Sequence, residues 1–178
     1  MMPHIRLLVK FGRNSVSDYK PIPGNIGIVR SNGIPARLIQ LGTLSRWNHV
    51  FIYIGNGLII EATPKGVRIG DLAQYTNIVW NKHQEWYNES ESREAIVKGA
   101  FRALEKPYNW VNILTIFFRI IGLKILANTK LMKRLAEKDG YICSELAEEL
   151  YVNTGNALVT KPAGITTPGD LIEAVVYQ

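Results

Sequence analysis

The sequence predicts an α+β fold in which an antiparallel sheet packs against helices. Strand-like segments cluster in the first half of the chain and helix-like segments in the second, whereas a parallel sheet needs the two to alternate. A length of 178 residues, with 47% hydrophobic and 20% charged residues, is typical of one globular domain with a sizeable core. Because no repeat, low-complexity tract or linker divides the chain, we expect a single domain over residues 1–178.

The clearest strand signal is a hairpin in the first half of the chain. "NHVFIYI" (48–54) and "LIIEAT" (58–63) are rich in β-branched and aromatic residues, and they flank Gly55-Asn56-Gly57. Three further segments predict short strands: 21–33, where turns flank the strand, then 66–69 and 77–80.

Helix signals dominate the second half. Between residues 92 and 106 apolar side chains recur every three or four positions, and Pro107 ends the pattern. In "TTPGDLIEA" (166–174), Thr167 is suited to cap a helix and Pro168 to occupy its first position. The other predicted helices cover residues 35–41, 110–127, 129–137 and 143–153, and a loop is predicted over residues 82–92.

The apolar pattern of the hairpin selects one register, which brings two polar residues together. A three-residue loop over 55–57 places one apolar set on a single face of the ribbon. That set is Val50, Ile52, Ile54, Leu58, Ile60 and Ala62. The opposite face then carries His49 and Glu61 as diagonal neighbours, about 7–8 Å apart at the backbone. A two-residue loop would place them on opposite faces.

A carboxylate beside an imidazole fixes its tautomer and favours the imidazolium, as in a nucleophile–base–orienter triad. The alternative is an ordinary pair of polar side chains on the solvent face of a hairpin. His4 and His83 have no comparable partner placed by local geometry.

Cys143, in "YICSEL" (141–146), is the single cysteine of the chain, so it forms no internal disulfide. Asp139-Gly140 precedes it and Glu145 follows within one turn, which predicts a helix that begins at the cysteine. The positive end of the helix dipole stabilises a thiolate there, and the first N–H groups could bind an oxyanion. The alternative is a buried, inert thiol.

Three segments in order carry a resemblance to a known family. "NHVFIYIGNGLIIEA", "KPYNW" and "YICSELAEELY" resemble the permuted branch of the NlpC-type, papain-like cysteine hydrolases, which includes YiiX-like and YaeF-like proteins and relatives of lecithin:retinol acyltransferase. The histidine precedes the cysteine, which is the permuted order. The resemblance spans residues 24–172 and implies a circularly permuted papain-like fold, with a helical insertion at about 111–138.

The resemblance also implies roles for particular residues. Cys143 would be the nucleophile, His49 the base and Glu61 the orienting acid. Tyr108 and Ser144 are the residues that we expect to contact the substrate or the oxyanion.

Two positions depart from the family pattern. Asn25 replaces the acid of an early "GD" element, and Asn109 replaces the acid of "PYD". Neither belongs to the triad, but either could alter how a substrate is positioned.

The expected activity is hydrolysis of an amide bond, such as that of a peptidoglycan-type peptide, or of an ester, through a thioester acyl-enzyme. Two alternatives remain open: a lipid acyl hydrolase or acyltransferase at a membrane surface, and a non-catalytic papain-like binding or structural module. We expect no cofactor and no metal, since three histidines and one cysteine show no zinc-type spacing.

Charge and hydropathy limit the partners and the location only loosely. The net charge of +6 suits an anionic surface, but no nucleic-acid recognition motif accompanies it, and we expect no specific nucleic acid partner. Arg6 and Lys10 interrupt the apolar start, so we expect no cleaved signal peptide. The segment 111–127 is apolar but carries Arg119 and Lys124, which suits a core helix or peripheral membrane contact. We therefore expect a cytoplasmic or membrane-peripheral protein, with delivery by a phage particle a further possibility.

Overall fold

The computed structural model describes residues 19–31, 40, 45–81, 90–109, 122, 140–160 and 166–177. In this part of the chain the fold is α+β, with one five-stranded antiparallel sheet and three helices. The strands are β1 (Ile26–Val29), β2 (His49–Gly55), β3 (Leu58–Thr63), β4 (Gly66–Asp71) and β5 (Val79–Trp80), and they lie in the order β4-β3-β2-β1-β5. The helices are α1 (Ser90–Arg102), α2 (Cys143–Val152) and α3 (Pro168–Tyr177).

The β2–β3 hairpin has the predicted register near His49 and Glu61 but a different turn. Ile52 pairs with Ile60 and Phe51 with Glu61, as expected, but Gly55 rather than Ile54 lies opposite Leu58. The turn has two residues, Asn56 and Gly57, whose φ angles of 53° and 76° are both positive, as a type I′ turn requires.

A β-bulge reconciles this shorter turn with the predicted register. Ile54 is an extra residue in β2 between the Tyr53 and Gly55 pairings, so it shifts the strand by one position. The prediction that Ile54 and Leu58 face each other is therefore wrong, and Leu58 is 42% exposed. Beyond the bulge, His49 and Glu61 lie on the same face of the ribbon.

Both faces of the sheet are covered. One face packs against the helices through Val50, Ile52 and Ile60, together with Leu146 of α2 and Ile96 of α1. The other face, which could have been exposed to solvent, carries a second apolar cluster. Its members are Val29, Phe51, Ile59 and Trp80, with Tyr19, Tyr53, Leu72, Tyr75 and Ile78 packed around them.

The helix ends confirm some predictions and shift others. At the start of α3, the Asp170 N–H donates to Thr167 Oγ1 (3.2 Å), which confirms Thr167 as the cap, and the Thr167 N–H donates to Asp170 Oδ2 (2.9 Å), which completes a capping box. Helix α1 ends at Arg102, four residues earlier than predicted, and a turn with Glu105 at φ 66° follows it.

Several predictions fall outside the described residues. They concern the helices at 35–41, 110–127 and 129–137, the loop at 82–92 as far as residue 89, and the insertion at about 111–138. The last three residues of that predicted loop, 90–92, form the first turn of α1, so this part of the prediction is wrong. Among the helices that are described, none combines the length and apolar character needed to cross a bilayer.

Candidate active site

Cys143 is the first residue of α2 and its thiol is free. The chain enters the helix at Ile142, whose N–H donates to the Glu145 carboxylate at 3.3 Å. Because an isoleucine side chain cannot accept a hydrogen bond in return, only this half of a capping box exists. The first intrahelical bond runs from the Leu146 N–H to the Ile142 carbonyl, so the N–H groups of Cys143 and Ser144 precede the hydrogen-bonded ladder.

His49 connects the cysteine to the carboxylate. It is the first residue of β2, and its Nε2 lies 2.7 Å from Glu61 Oε2, as the predicted register required. The Cys143 side chain also lies beside the His49 ring, where it raises the pKa of the imidazole. Because Nε2 is occupied by the carboxylate, Nδ1 is the ring nitrogen available to the sulfur. Helix α2 packs against β2 and β3, which brings Cys143, from the second half of the chain, to the β2–β3 hairpin.

The surroundings of His49 favour its charged form. Burial would lower the pKa of the imidazole, but the hydrogen bonds with Cys143 and Glu61 outweigh this effect and raise the pKa from 6.5 to about 9. The side chains of His49 and Cys143 are largely shielded from solvent, with 9% and 3% of each residue exposed. The site therefore holds a charged imidazole beside the sulfur, with both groups shielded from bulk solvent.

Glu61 is fully buried and is held by more partners than His49. Its Oε1 accepts hydrogen bonds from Arg68 Nε (3.1 Å) and Nη2 (2.9 Å), and its Oε2 accepts one from the Tyr75 hydroxyl (2.6 Å). Burial would raise the pKa of Glu61, but the bonds from His49 and Tyr75, the charge of His49 and the bond from Arg68 lower it to about 2. The residue is therefore a carboxylate.

Sequence reasoning missed both Arg68 and Tyr75. The position of Arg68 had a usable signal, because a two-residue turn at Pro64-Lys65 pairs Thr63 with Gly66 and places Arg68 opposite Glu61. Tyr75 had no such signal. It follows a 3-10 turn over Leu72–Gln74, and no strand periodicity fixes where its side chain lies.

Tyr108 lies near Cys143, as expected, because backbone hydrogen bonds hold its segment on both sides. Val67 of β4 donates to the Lys106 carbonyl (2.9 Å) and accepts from the Glu105 N–H (3.0 Å). Tyr141, two residues before the cysteine, donates to the Pro107 carbonyl (3.0 Å) and accepts from the Asn109 N–H. Burial, reinforced by the nearby Cys143, raises the pKa of Tyr108 above its ordinary value, so its hydroxyl keeps its proton.

Ser144 is placed differently from the other expected contacts. Its hydroxyl is fully buried and donates to the Thr166 carbonyl at 2.6 Å, which ties the start of α2 to the start of α3. The Ser144 hydroxyl is thus occupied. Its backbone N–H, in the first turn of α2, is the group that Ser144 could offer to an oxyanion.

The two asparagines that stand where the resemblance suggests an acid, Asn25 and Asn109, are both buried. Asn25 accepts from the Ile22 N–H (2.7 Å) and donates to Asn81 (3.2 Å), which anchors the start of β1, and Asn109 bonds to Tyr141 through its backbone. His4 and His83 lie outside the described residues.

No protein-family model matches the chain, and no curated protein matches it either. In the described part of the chain, no group of three or more His, Cys, Asp or Glu side chains is arranged to hold a metal ion.

Proposed function

We propose that the protein is a cysteine hydrolase of the permuted papain-like class, which cleaves an amide or ester through a thioester acyl-enzyme. One observation carries the proposal: the His49 ring is hydrogen-bonded through Nε2 to the buried Glu61 carboxylate at 2.7 Å, and the same ring lies beside Cys143, which raises the pKa of the imidazole. A nucleophile, a base and an orienting acid in contact are the minimum set for covalent acyl transfer.

In the proposed first step, the Cys143 sulfur attacks the carbonyl carbon and its proton resides on His49. The new C–S bond gives a tetrahedral oxyanion, and collapse of this intermediate breaks the bond to the leaving group. His49 gives its proton to the departing amine or alcohol, which leaves a thioester on Cys143 and a neutral imidazole. Water then attacks the thioester, and its proton passes to His49 while the acid product and the thiolate separate.

The oxyanion needs hydrogen-bond donors beside the sulfur. The N–H groups of Cys143 and Ser144 in the first turn of α2 are the backbone candidates, and the protonated hydroxyl of Tyr108 is the side-chain candidate. Loss of one such donor typically lowers kcat by about 10²–10³-fold. We expect Tyr108→Phe to lower kcat within or below that range, since the backbone donors remain.

An amide of the cell-wall-peptide type and a lipid ester are the two substrate classes that the proposed chemistry admits. Incubation with muropeptides and, separately, with phospholipid vesicles, followed by intact-mass spectrometry after acid quench, would detect the acyl group on Cys143. The Cys143→Ala protein is the control that carries no adduct. An adduct of the muropeptide acyl part supports the amide class, and a fatty-acyl adduct supports the lipid class. Failure to modify Cys143 with either substrate, together with slow alkylation by iodoacetamide, would point to a non-catalytic scaffold.

A further inference from the structure

The donors to Glu61 differ in whether their charge changes during acyl transfer. In the described part of the chain, they come from β2 (His49), from β4 (Arg68) and from the segment after the 3-10 turn (Tyr75). In the proposed reaction His49 alternates between imidazolium and neutral imidazole. The Arg68 guanidinium stays charged at all relevant pH values, and burial and Glu61 raise the pKa of Tyr75, so its hydroxyl stays protonated.

The neutral stage of His49 creates a problem for a carboxylate that is fully buried. Burial favours the protonated acid once the neighbouring positive charge is lost. If Glu61 took up a proton from solvent at this stage, it would offer an O–H to Nε2, and the imidazole would carry its own single proton on Nδ1. That tautomer cannot accept a proton from water or thiol at Nδ1, so the next half of the cycle would stall.

We propose that Arg68 and Tyr75 are positioning residues that keep Glu61 ionised and correctly turned while His49 is neutral. This inference rests on the proposed hydrolase function, because only that chemistry takes His49 through its neutral form. It assigns to these two residues a role that acts through Glu61 rather than through the substrate.

The geometry divides the carboxylate between the two residues. Arg68 lies directly opposite Glu61 in the β3–β4 pair, and two of its N–H groups converge on the single oxygen Oε1 as charge-assisted hydrogen bonds. Tyr75 binds Oε2, the oxygen that faces His49. One oxygen is thus anchored by a permanent charge and the other is shared between the imidazole and a neutral donor.

Two packing features hold these donors in place. The Tyr75 ring stacks on Phe51 with centroids 5.2 Å apart, and its centroid lies 5.6 Å from that of His49. Gly70 of β4 leaves room for the carboxylate, since a Cβ at this position would lie 2.8 Å from Glu61 Oε1. The carboxylate therefore fits a cradle formed by β4 and the segment that follows it.

Among the described residues, the ionisable groups around Glu61 and its partner His49 come from four elements. His49 lies on β2, Arg68 on β4 and Tyr75 after the 3-10 turn, and Cys143 of α2 contacts His49 from the other side. The Arg68 side chain is 50% exposed, so solvent screens part of its charge. Arg68 nevertheless acts on Glu61 directly, because two of its N–H groups donate hydrogen bonds to Oε1.

The test isolates the neutral stage by replacing His49 with a neutral hydrogen-bond donor. In His49→Gln protein labelled with ¹³C-glutamate, the Glu61 carboxyl signal, assigned by its loss in Glu61→Gln, is titrated by NMR. We expect its midpoint to stay at or below the ordinary 4.5. Adding Arg68→Met or Tyr75→Phe should raise the midpoint by about one to two pH units each, because each change removes hydrogen bonds to a buried charge.

Matched controls separate this effect from a general loss of structure. Tyr53→Phe removes another partly buried tyrosine hydroxyl of the sheet, and Arg102→Met removes an exposed arginine at the end of α1. Neither should move the Glu61 midpoint, and Arg68→Lys should restore part of the Arg68→Met shift. If Arg68→Met fails to fold, Arg68→Lys and Tyr75→Phe supply the comparison. The proposal is overturned if Glu61 titrates in the Arg68 and Tyr75 variants where it does in the controls.

The carboxyl titration does not depend on whether Cys143 is reactive, so the two proposals can fail separately. Slow, His49-independent alkylation of wild-type Cys143 would defeat the hydrolase function and leave the titration result standing. In otherwise wild-type protein, Arg68→Met and Tyr75→Phe should also move the acidic limb of the activity profile towards neutral pH. An unmoved limb alongside a fast wild-type reaction would overturn the positioning role alone.

Discussion

Replacing Glu61 by glutamine tests the electrostatic core of the site with almost no change in volume. Every partner of Glu61 in the described residues donates a hydrogen bond: Arg68 to Oε1, and His49 and Tyr75 to Oε2. A glutamine offers one oxygen and one NH₂ group. The NH₂ group, which is a donor, must therefore lie against donors that now bind one of the two carboxylate oxygens. With the amide oxygen kept on the charged Arg68, the NH₂ group faces His49, which must then present Nε2 as an acceptor.

The structure sets the size of the effect on His49. Its pKa stands at about 9 because hydrogen bonds with Cys143 and Glu61 overcome burial. Without the carboxylate, burial opposes the remaining bond, and we expect the pKa to fall to 6.5 or lower. That fall, from about 9 to 6.5, is about 2.5 pH units or roughly 3 kcal/mol of preference for imidazolium. At about pH 7.5 the imidazolium population would drop about tenfold.

The assay is a ¹⁵N-histidine NMR titration, which reports the ring nitrogens of His49 directly. Wild-type protein should titrate near pH 9 and Glu61→Gln at or below 6.5, with Nε2 unprotonated in the neutral form. Glu94→Gln is the matched control, since Glu94 is an exposed residue of α1 paired with Lys98. Equal midpoints for His49 in the wild-type and Glu61→Gln proteins would refute the reasoning that Glu61 sets the charge of the imidazole.

Three further predictions follow from contacts of the site. Gly70→Ala would place a Cβ 2.8 Å from Glu61 Oε1 and displace the carboxylate, so alkylation of Cys143 should slow even where the melting temperature changes little. An unchanged alkylation rate would contradict the inference that Gly70 leaves room for the Glu61 carboxylate. Ser144→Ala removes the 2.6 Å bond to the Thr166 carbonyl, and we expect a loss of about 1–3 kcal/mol in urea unfolding with little change in alkylation rate; a large rate loss would instead give the hydroxyl a role in the reaction. The raised pKa of His49 adds stability that is complete below pH 6.5 and is lost as pH rises through about 9. The lowered pKa of Glu61 adds stability that is complete above pH 4.5 and is lost as pH falls through about 2. The free energy of unfolding measured against pH should therefore be highest between 4.5 and 6.5, and Glu61→Gln should flatten its fall on both sides.

The sequence predicts those parts of the site that depend on local periodicity. Alternation of apolar residues in β2 and β3 placed His49 and Glu61 on one face, and the hydrogen bond between them confirms this. The turn itself was wrong, because a β-bulge at Ile54 compensates for a loop one residue shorter than expected. The turn is one residue shorter than predicted and β2 contains one extra residue, so the pairing beyond the bulge is unchanged. The apolar pattern therefore fixes the register more strongly than the turn does.

The remaining parts depend on contacts between segments distant in sequence. The proximity of Cys143 to His49 requires α2 to pack on β2, which apolar periodicity does not specify. Tyr75 reaches Glu61 from an irregular segment, whose course depends on the Asp71 side chain accepting from the Ala73 N–H at 2.8 Å. Burial of the second sheet face by Trp80 and its neighbours likewise follows from tertiary packing.

The most direct measurement of the central claim is the rate of Cys143 alkylation by iodoacetamide at neutral pH, in wild-type and His49→Ala protein. A thiolate stabilised by an adjacent imidazolium predicts fast labelling that falls by at least about tenfold in the variant, with the fold intact by circular dichroism. Slow labelling of equal rate in both proteins would contradict the account, because Cys143 would then be a packed thiol that His49 does not activate.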